Sequence, residues 1–219
     1  SLTQFSLHSP FGVVTKWYKV LCDTPYYKAN FLERALPSNP QFVLDNISEL
    51  IEYILNPYKD GKNNKEGITE RLLENVYDPL MKRLPDEFYL ILREEILKAI
   101  NASRVTSWSE DGIDYNNVFP LTMNQHHHTY ALHEWFGEML KKQVKLQTAN
   151  AIADIKNLLS QKEASCYRFA FKAMKETPTL FTDDIVDILK DTKLVDDLLS
   201  YSDVTYYFLE MLRAWFPLI

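Results

Sequence analysis

The chain is poor in the residue that tight hairpins need. Its 219 residues include only five glycines, against ten prolines. Few glycines mean few left-handed turns, which argues against an all-β chain. Cysteine is scarcer still: Cys22 and Cys166 stand in unrelated segments with no CxxC spacing. Such sparse use suits a reducing compartment, where a buried thiol acts as a small apolar group. No run of about 18 uncharged apolar residues occurs, so no segment is expected to span a membrane. The first ten residues lack the basic start and apolar core of a secretory signal. An intracellular place, cytoplasmic or nuclear, is the expectation.

Positive charge is also short. With 24 Lys and Arg against 30 Asp and Glu, the net charge is −6 and the pI about 5.4, which disfavours general nucleic-acid binding. Catalytic signatures are missing too. There is no GxSxG elbow, no Gly-rich phosphate loop, no GK[ST] and no carboxylate pair that stands out. Neither Cys22 nor Cys166 has a histidine nearby in sequence. No cofactor and no small-molecule substrate is indicated.

What is present is helical punctuation. Ser9-Pro10, Thr24-Pro25 and Asn39-Pro40 each join a capping side chain to a proline at the first helical position. They predict helices to about residues 22, 36 and 56. The third carries an amphipathic set: Phe42, Ile47, Leu50, Ile51, Ile54 and Leu55. Residues 58–67 are polar and read as a surface loop, without the acidic spacing or central glycine of a calcium-binding loop. A helix over 68–84, kinked at Pro79, and another over 86–100 follow. Asn46-Ile-Ser48 and Asn101-Ala-Ser103 match the glycosylation pattern, but inside predicted helices they read as coincidence.

Residues 104–120 form the longest irregular segment, a candidate joint between helical halves at 1–103 and 121–219. There Trp108 stands beside Glu110, Asp111 and Asp114, either a partner anchor or a ring folded back on the core. Residues 124–177 contain no proline and one glycine, Gly137. A single helix of that length would span about 80 Å. Ser160 and Glu163 fit a capping box, so a long central helix over 124–159 and a second over 161–175 are expected. Thr182, Thr192 and Ser202 cap three further helices, to about residues 190, 199 and 216.

His126, His127 and His128 are the obvious metal candidates, with His133 one face further on. Adjacent helical residues lie about 100° apart, so the three fan out in different directions. A helical site needs ligands at i and i+3 or i+4, and none of those positions holds a carboxylate or an imidazole. His126 and His133 share a face but sit about 10.5 Å apart along the axis. A shared zinc requires nitrogens within about 2.1 Å of the ion. His133-Glu134 starts a zinc-protease motif whose fifth position is Gly137. A metal at His126, His128 or His133 would thus need ligands from elsewhere, and packing residues are the simpler reading.

Charge divides unevenly. Residues 124–177 hold eight Lys and Arg against five Asp and Glu, while 178–219 hold three against eight. Either the acidic helices lie against the basic one, or Asp183, Asp187, Asp196 and Asp197 form a face that docks a basic protein. Aromatic pairs such as Tyr26-Tyr27, Tyr206-Tyr207 and Trp215-Phe216 add rigid apolar surface, with Tyr206 and Trp215 the partner-binding candidates.

The expected fold is all-α, a bundle or irregular array of eight to ten helices. The apolar end Pro217-Leu218-Ile219 suggests a piece of a longer protein. The function that fits is a non-enzymatic interaction or scaffold module. A membrane-trafficking or tethering module is one alternative. An enzyme or metalloprotein using His126 to His133 with distant ligands is the other.

Overall fold

A computed structural model describes residues 24–55, 72–102, 104–105, 113–116, 127–200 and 202–218. The expected helix over 10–22, the loop 58–67, Trp108 and His126 lie outside them. The described residues are mainly helical, as expected of an all-α chain, with one two-residue ladder and an isolated bridge between Asp114 and Glu163. They form two compact units, Ser1–Ala99 and Ile100–Ile219.

In the first unit, α1 (Pro25–Ala35) begins where Thr24 Oγ1 accepts from the Tyr27 N–H. α2 (Pro40–Asn46) begins where Asn39 Oδ1 accepts from Phe42 N–H. The single helix expected from Pro40 to about 56 is instead two, α2 and α3 (Ser48–Leu55), interrupted at Ile47. Asn46 Nδ2 donates to the Phe42 carbonyl at 2.8 Å, a side-chain bond that competes with the backbone ladder at that turn. Both helices still bury the apolar set, with Phe42, Ile47, Leu50, Ile51, Ile54 and Leu55 all in the core.

The kink expected at Pro79 takes a particular form. A π-helical turn over Leu73–Tyr77 leads into α4 (Asp78–Arg83). Proline offers no N–H to the preceding turn and its ring crowds that turn's carbonyl, so the ladder widens just upstream. α5 (Pro85–Ala102) follows, burying Phe88, Leu92 and Ile96.

The second unit opens with β1 (Arg104–Val105) paired antiparallel to β2 (Tyr115–Asn116), so the segment expected to be irregular holds a short ladder. The long helix expected over 124–159 is not formed. α6 (His127–Lys145) stops, and α7 (Ala149–Ser160) starts after a three-residue turn. Gln147 adopts φ 53°, Thr148 N–H donates to the Gln143 carbonyl and Gln147 N–H to the Val144 carbonyl. This is a Schellman ending with glutamine where glycine is usual. Thr148 Oγ1 then caps α7 at Ala151 N–H. Val144 and Ala151 are both buried and seven residues apart, so the apolar stripe runs through the break without a trace.

The next break lies where expected but is built differently. Ser160 Oγ donates back to the Asn157 carbonyl, Lys162 takes φ 50°, and Glu163 itself caps α8 (Ala164–Met174) by accepting from Cys166 N–H. Ten of the eleven residues of α8 are buried, so it is a core helix, apolar on every side but one. It packs on α6, on α7 and on α11 (Ser202–Trp215). A 3₁₀ turn over Pro178–Phe181 leads to α9 (Thr182–Lys190) and α10 (Thr192–Ser200), which pack in series toward α11. Asp191, rather than Thr192, caps α10 by accepting from Leu194 N–H.

Candidate functional site

Two places in the second unit gather chemistry-bearing side chains. One is the seam between α6 and α8. There His133 is 3% exposed, its ring 4.1 Å from the Phe169 centroid. Arg168 Nη2 lies 3.2 Å from His133 Nδ1 and also contacts Nε2. A guanidinium only donates, so the imidazole must be neutral to accept from it. Burial and the Arg168 charge together push the His133 pKa down to about 3. Next to it, the His133 ring and the Lys172 ammonium hold the Glu134 carboxyl down at about 2.

The seam continues as an alternating ladder. Lys172 Nζ sits 2.6 Å from Glu134 Oε2 and 3.2 Å from Glu138 Oε1. Lys141 spans from Glu138 to Glu176 at 3.2 Å each, and Lys145 reaches Glu176 at 2.7 Å. Burial opposes the Lys172 charge, but the two carboxylates outweigh it and raise its pKa. Burial likewise opposes the Glu176 charge, yet Lys145 and Lys141 keep its pKa below the usual range. Carboxylates and ammonium groups face one another here in satisfied pairs, which suits locking two helices rather than turning over a substrate.

The described residues include the metal candidates His128 and His133. His128 lies in the first turn of α6, and His133 faces an arginine, which repels a cation. No group of three or more metal-capable side chains occurs among the described residues.

The second place is the surface of α9, α10 and α11. Tyr206 is 60% exposed and Phe216 56%, with Leu209, Leu199 and Leu218 also open to solvent. Asp183, Asp187 and Asp196 are exposed and Asp197 partly so. Asp187 pairs with Lys190. No lysine or arginine among the described residues pairs with Asp183, Asp184, Asp196 or Asp197. Trp215 differs from the expectation of a partner anchor. It is 4% exposed and its Nε1 donates to Thr182 Oγ1, so the ring closes the unit's own core. The signal that could have placed it inside is the stripe Val204, Phe208, Met211 and Trp215, at i, i+4, i+7 and i+11, all buried.

The ion pairs show where the charge of the basic segment goes. The lysines of α6 find their carboxylates on α6 itself, at Glu138, and just beyond α8, at Glu176, while Glu134 and Glu138 also meet Lys172 of α8. Between the acidic helices and the rest of the unit, Glu210 of α11 pairs with Lys175, just beyond α8, at 2.8 Å. This ladder was not legible from local pattern, since its cross-helix partners stand about 30 to 40 positions apart.

No helix among the described residues is long and apolar enough to cross a membrane. No protein-family model matches the chain, nor does any curated protein or solved structure.

Proposed function

We propose that the chain is a non-enzymatic helical interaction module of an intracellular protein or complex, and that it docks a basic protein partner through α9, α10 and α11. The observation that supports this is the coincidence, on these three helices, of exposed aromatic and aliphatic side chains with aspartates that no cation of the described residues neutralises. Large apolar side chains can anchor an interface, while surrounding charge sets on-rate and specificity. The charged groups of the α6–α8 seam, by contrast, are spent on one another.

The test is affinity capture with the whole chain as bait, beside a variant carrying Asp183→Lys, Asp187→Lys, Asp196→Lys and Asp197→Lys. The expected result is a captured protein with a basic surface that the variant fails to hold. Equal capture by both baits would remove the acidic face from the reading.

A further inference from the structure

The outward face of α11 has a shape that specifies more than a basic partner. Tyr206, Leu209 and Arg213 follow one another at i, i+3 and i+7, and Phe216 stands in the 3₁₀ turn Phe216–Leu218 that continues the helix, all exposed. They lie opposite the buried Val204, Phe208, Met211, Leu212 and Trp215. At 1.5 Å per residue the outward stripe is about 15 Å long.

Two hydrogen bonds fix what stands at its ends. Trp215 Nε1 donates to Thr182 Oγ1 at 3.3 Å, which brings the Phe216 end to the first turn of α9, where Asp183 and Asp184 follow. Thr205 Oγ1 donates to the Leu198 carbonyl at 2.8 Å, which sets Tyr206 beside the end of α10, where Asp196 and Asp197 precede Leu198. The stripe is thus apolar but for Arg213, which Glu210 of the same helix pairs at 2.7 Å. Near its ends stand Asp183, Asp184, Asp196 and Asp197, which pair with no lysine or arginine among the described residues.

We infer that this face receives an amphipathic helix of about three turns, apolar along its middle and carrying lysine or arginine toward both ends. The inference rests on the interaction-module reading and adds the partner's form. A helical face has no open row of backbone donors and acceptors, so a partner cannot extend it as a strand would extend a sheet. It must engage side chains at helical spacing, and a helix presents its own at the matching i, i+3, i+7 intervals. The charge excludes the other natural occupants. A second copy meeting this face about a two-fold axis brings aspartates against aspartates, and an anionic membrane surface meets the same repulsion.

The experiment measures fluorescence-anisotropy binding of three synthetic peptides of about 14 residues to the intact chain. One is a Leu/Lys amphipathic helix, the second replaces every lysine with glutamate, and the third is the Leu/Lys peptide broken by two prolines. The expected result is binding of the first alone, at least about tenfold weaker on a Tyr206→Ala, Phe216→Ala double variant that keeps its helicity and melting temperature. A separate Asp183→Lys, Asp196→Lys variant loses the lysine peptide and gains the glutamate one. Equal binding of the proline-broken peptide overturns the helical partner and leaves the basic-partner reading standing. Absence of binding by both lysine peptides overturns both. Sedimentation of the chain as a dimer that the Tyr206→Ala, Phe216→Ala variant dissociates shows a second copy on the face and also overturns the inference.

Discussion

The buried histidine makes an acid-side prediction that can be worked from its surroundings. His133 is neutral in the folded chain, flanked by Arg168 and by the Glu134–Lys172 pair, with its pKa lowered from 6.5 to about 3. In the unfolded chain it titrates at its ordinary value. Between pH 6.5 and pH 3 the unfolded state therefore holds a proton that the folded state refuses, and stability falls as pH falls. The slope approaches about 1.4 kcal/mol per pH unit, so from pH 7.5 to pH 4.5 this one residue removes at most about 2.6 kcal/mol. That is a large share of the roughly 5–15 kcal/mol that stabilises a folded domain. Replacing His133 with glutamine keeps an acceptor for Arg168 and removes the titration. Urea unfolding followed by far-UV circular dichroism, at half-unit steps from pH 7.5 to 4.5, gives both stability curves. The His133→Gln curve should lie lower at pH 7.5, through imperfect packing against Phe169, yet be flatter, the two converging toward pH 4.5. Parallel curves would refute the reasoning, because they would mean the imidazole gains its proton as easily folded as unfolded.

Three further outcomes follow from the same geometry. Lys172→Met leaves Glu134 and Glu138 facing each other without their shared cation, and should cost about 1–2 kcal/mol at pH 7. A double-mutant cycle with Glu134→Gln should return a coupling of about 1 kcal/mol in urea unfolding, and additivity would show the pair to be idle. Gln147→Gly should raise stability by roughly 0.5 kcal/mol, the relief of a left-handed residue of about 1–2 kcal/mol less a backbone-entropy cost of about 0.5–1 kcal/mol. The same substitution at an exposed site inside α6, Lys142→Gly, should lower the urea midpoint instead. Gly137→Ala should stabilise by about 0.5–1 kcal/mol, because the added carbon meets only the Lys172 side chain, with its Cδ at 3.4 Å. A loss of stability, read from the same midpoint, would show that Lys172 cannot yield without leaving Glu134.

Caps and stripes carried most of the fold into view. Thr24-Pro25 and Asn39-Pro40 mark helices because the local chemistry, an oxygen acceptor before a residue with no N–H to satisfy, is complete within four positions. The break at Gln147 escaped for the opposite reason. Its left-handed backbone is held by Thr148 and Val144 groups that any sequence possesses, and a seven-residue step across it preserves the apolar stripe. Ser160 and Glu163 pointed to the right turn and the wrong capping residue, since Lys162 in the left-handed region leaves Glu163 to cap alone. The partners of His133, Arg168 and Lys172 were not legible at all. They meet because α6 and α8 pack, and no local rule connects positions 35 apart.

That difference also explains why net charge by segment was a poor guide to how the charges are met in the folded unit. The positive balance of residues 124–177 suggested a basic surface for the acidic helices to cover. In the folded unit Lys141, Lys145 and Lys172 face Glu138, Glu176 and Glu134, so that segment meets most of its own charge. The negative balance of residues 178–219 has no such internal answer. Glu210 is held by Lys175 and Arg213, and Asp187 by Lys190, while Asp183, Asp184, Asp196 and Asp197 face no lysine or arginine among the described residues. Helix starts account for some of these carboxylates, since Asp183 and Asp184 sit in the first turn of α9, where the positive end of the helix favours them. Asp196, the middle residue of α10, and Asp197, at the start of its last turn, lack that favourable end. A basic partner would pair with them, which makes Asp196→Lys the substitution that separates stability from binding. It should leave the fold no less stable by urea midpoint while weakening capture of the partner. A variant that loses stability and partner together would place Asp196 in the fold instead.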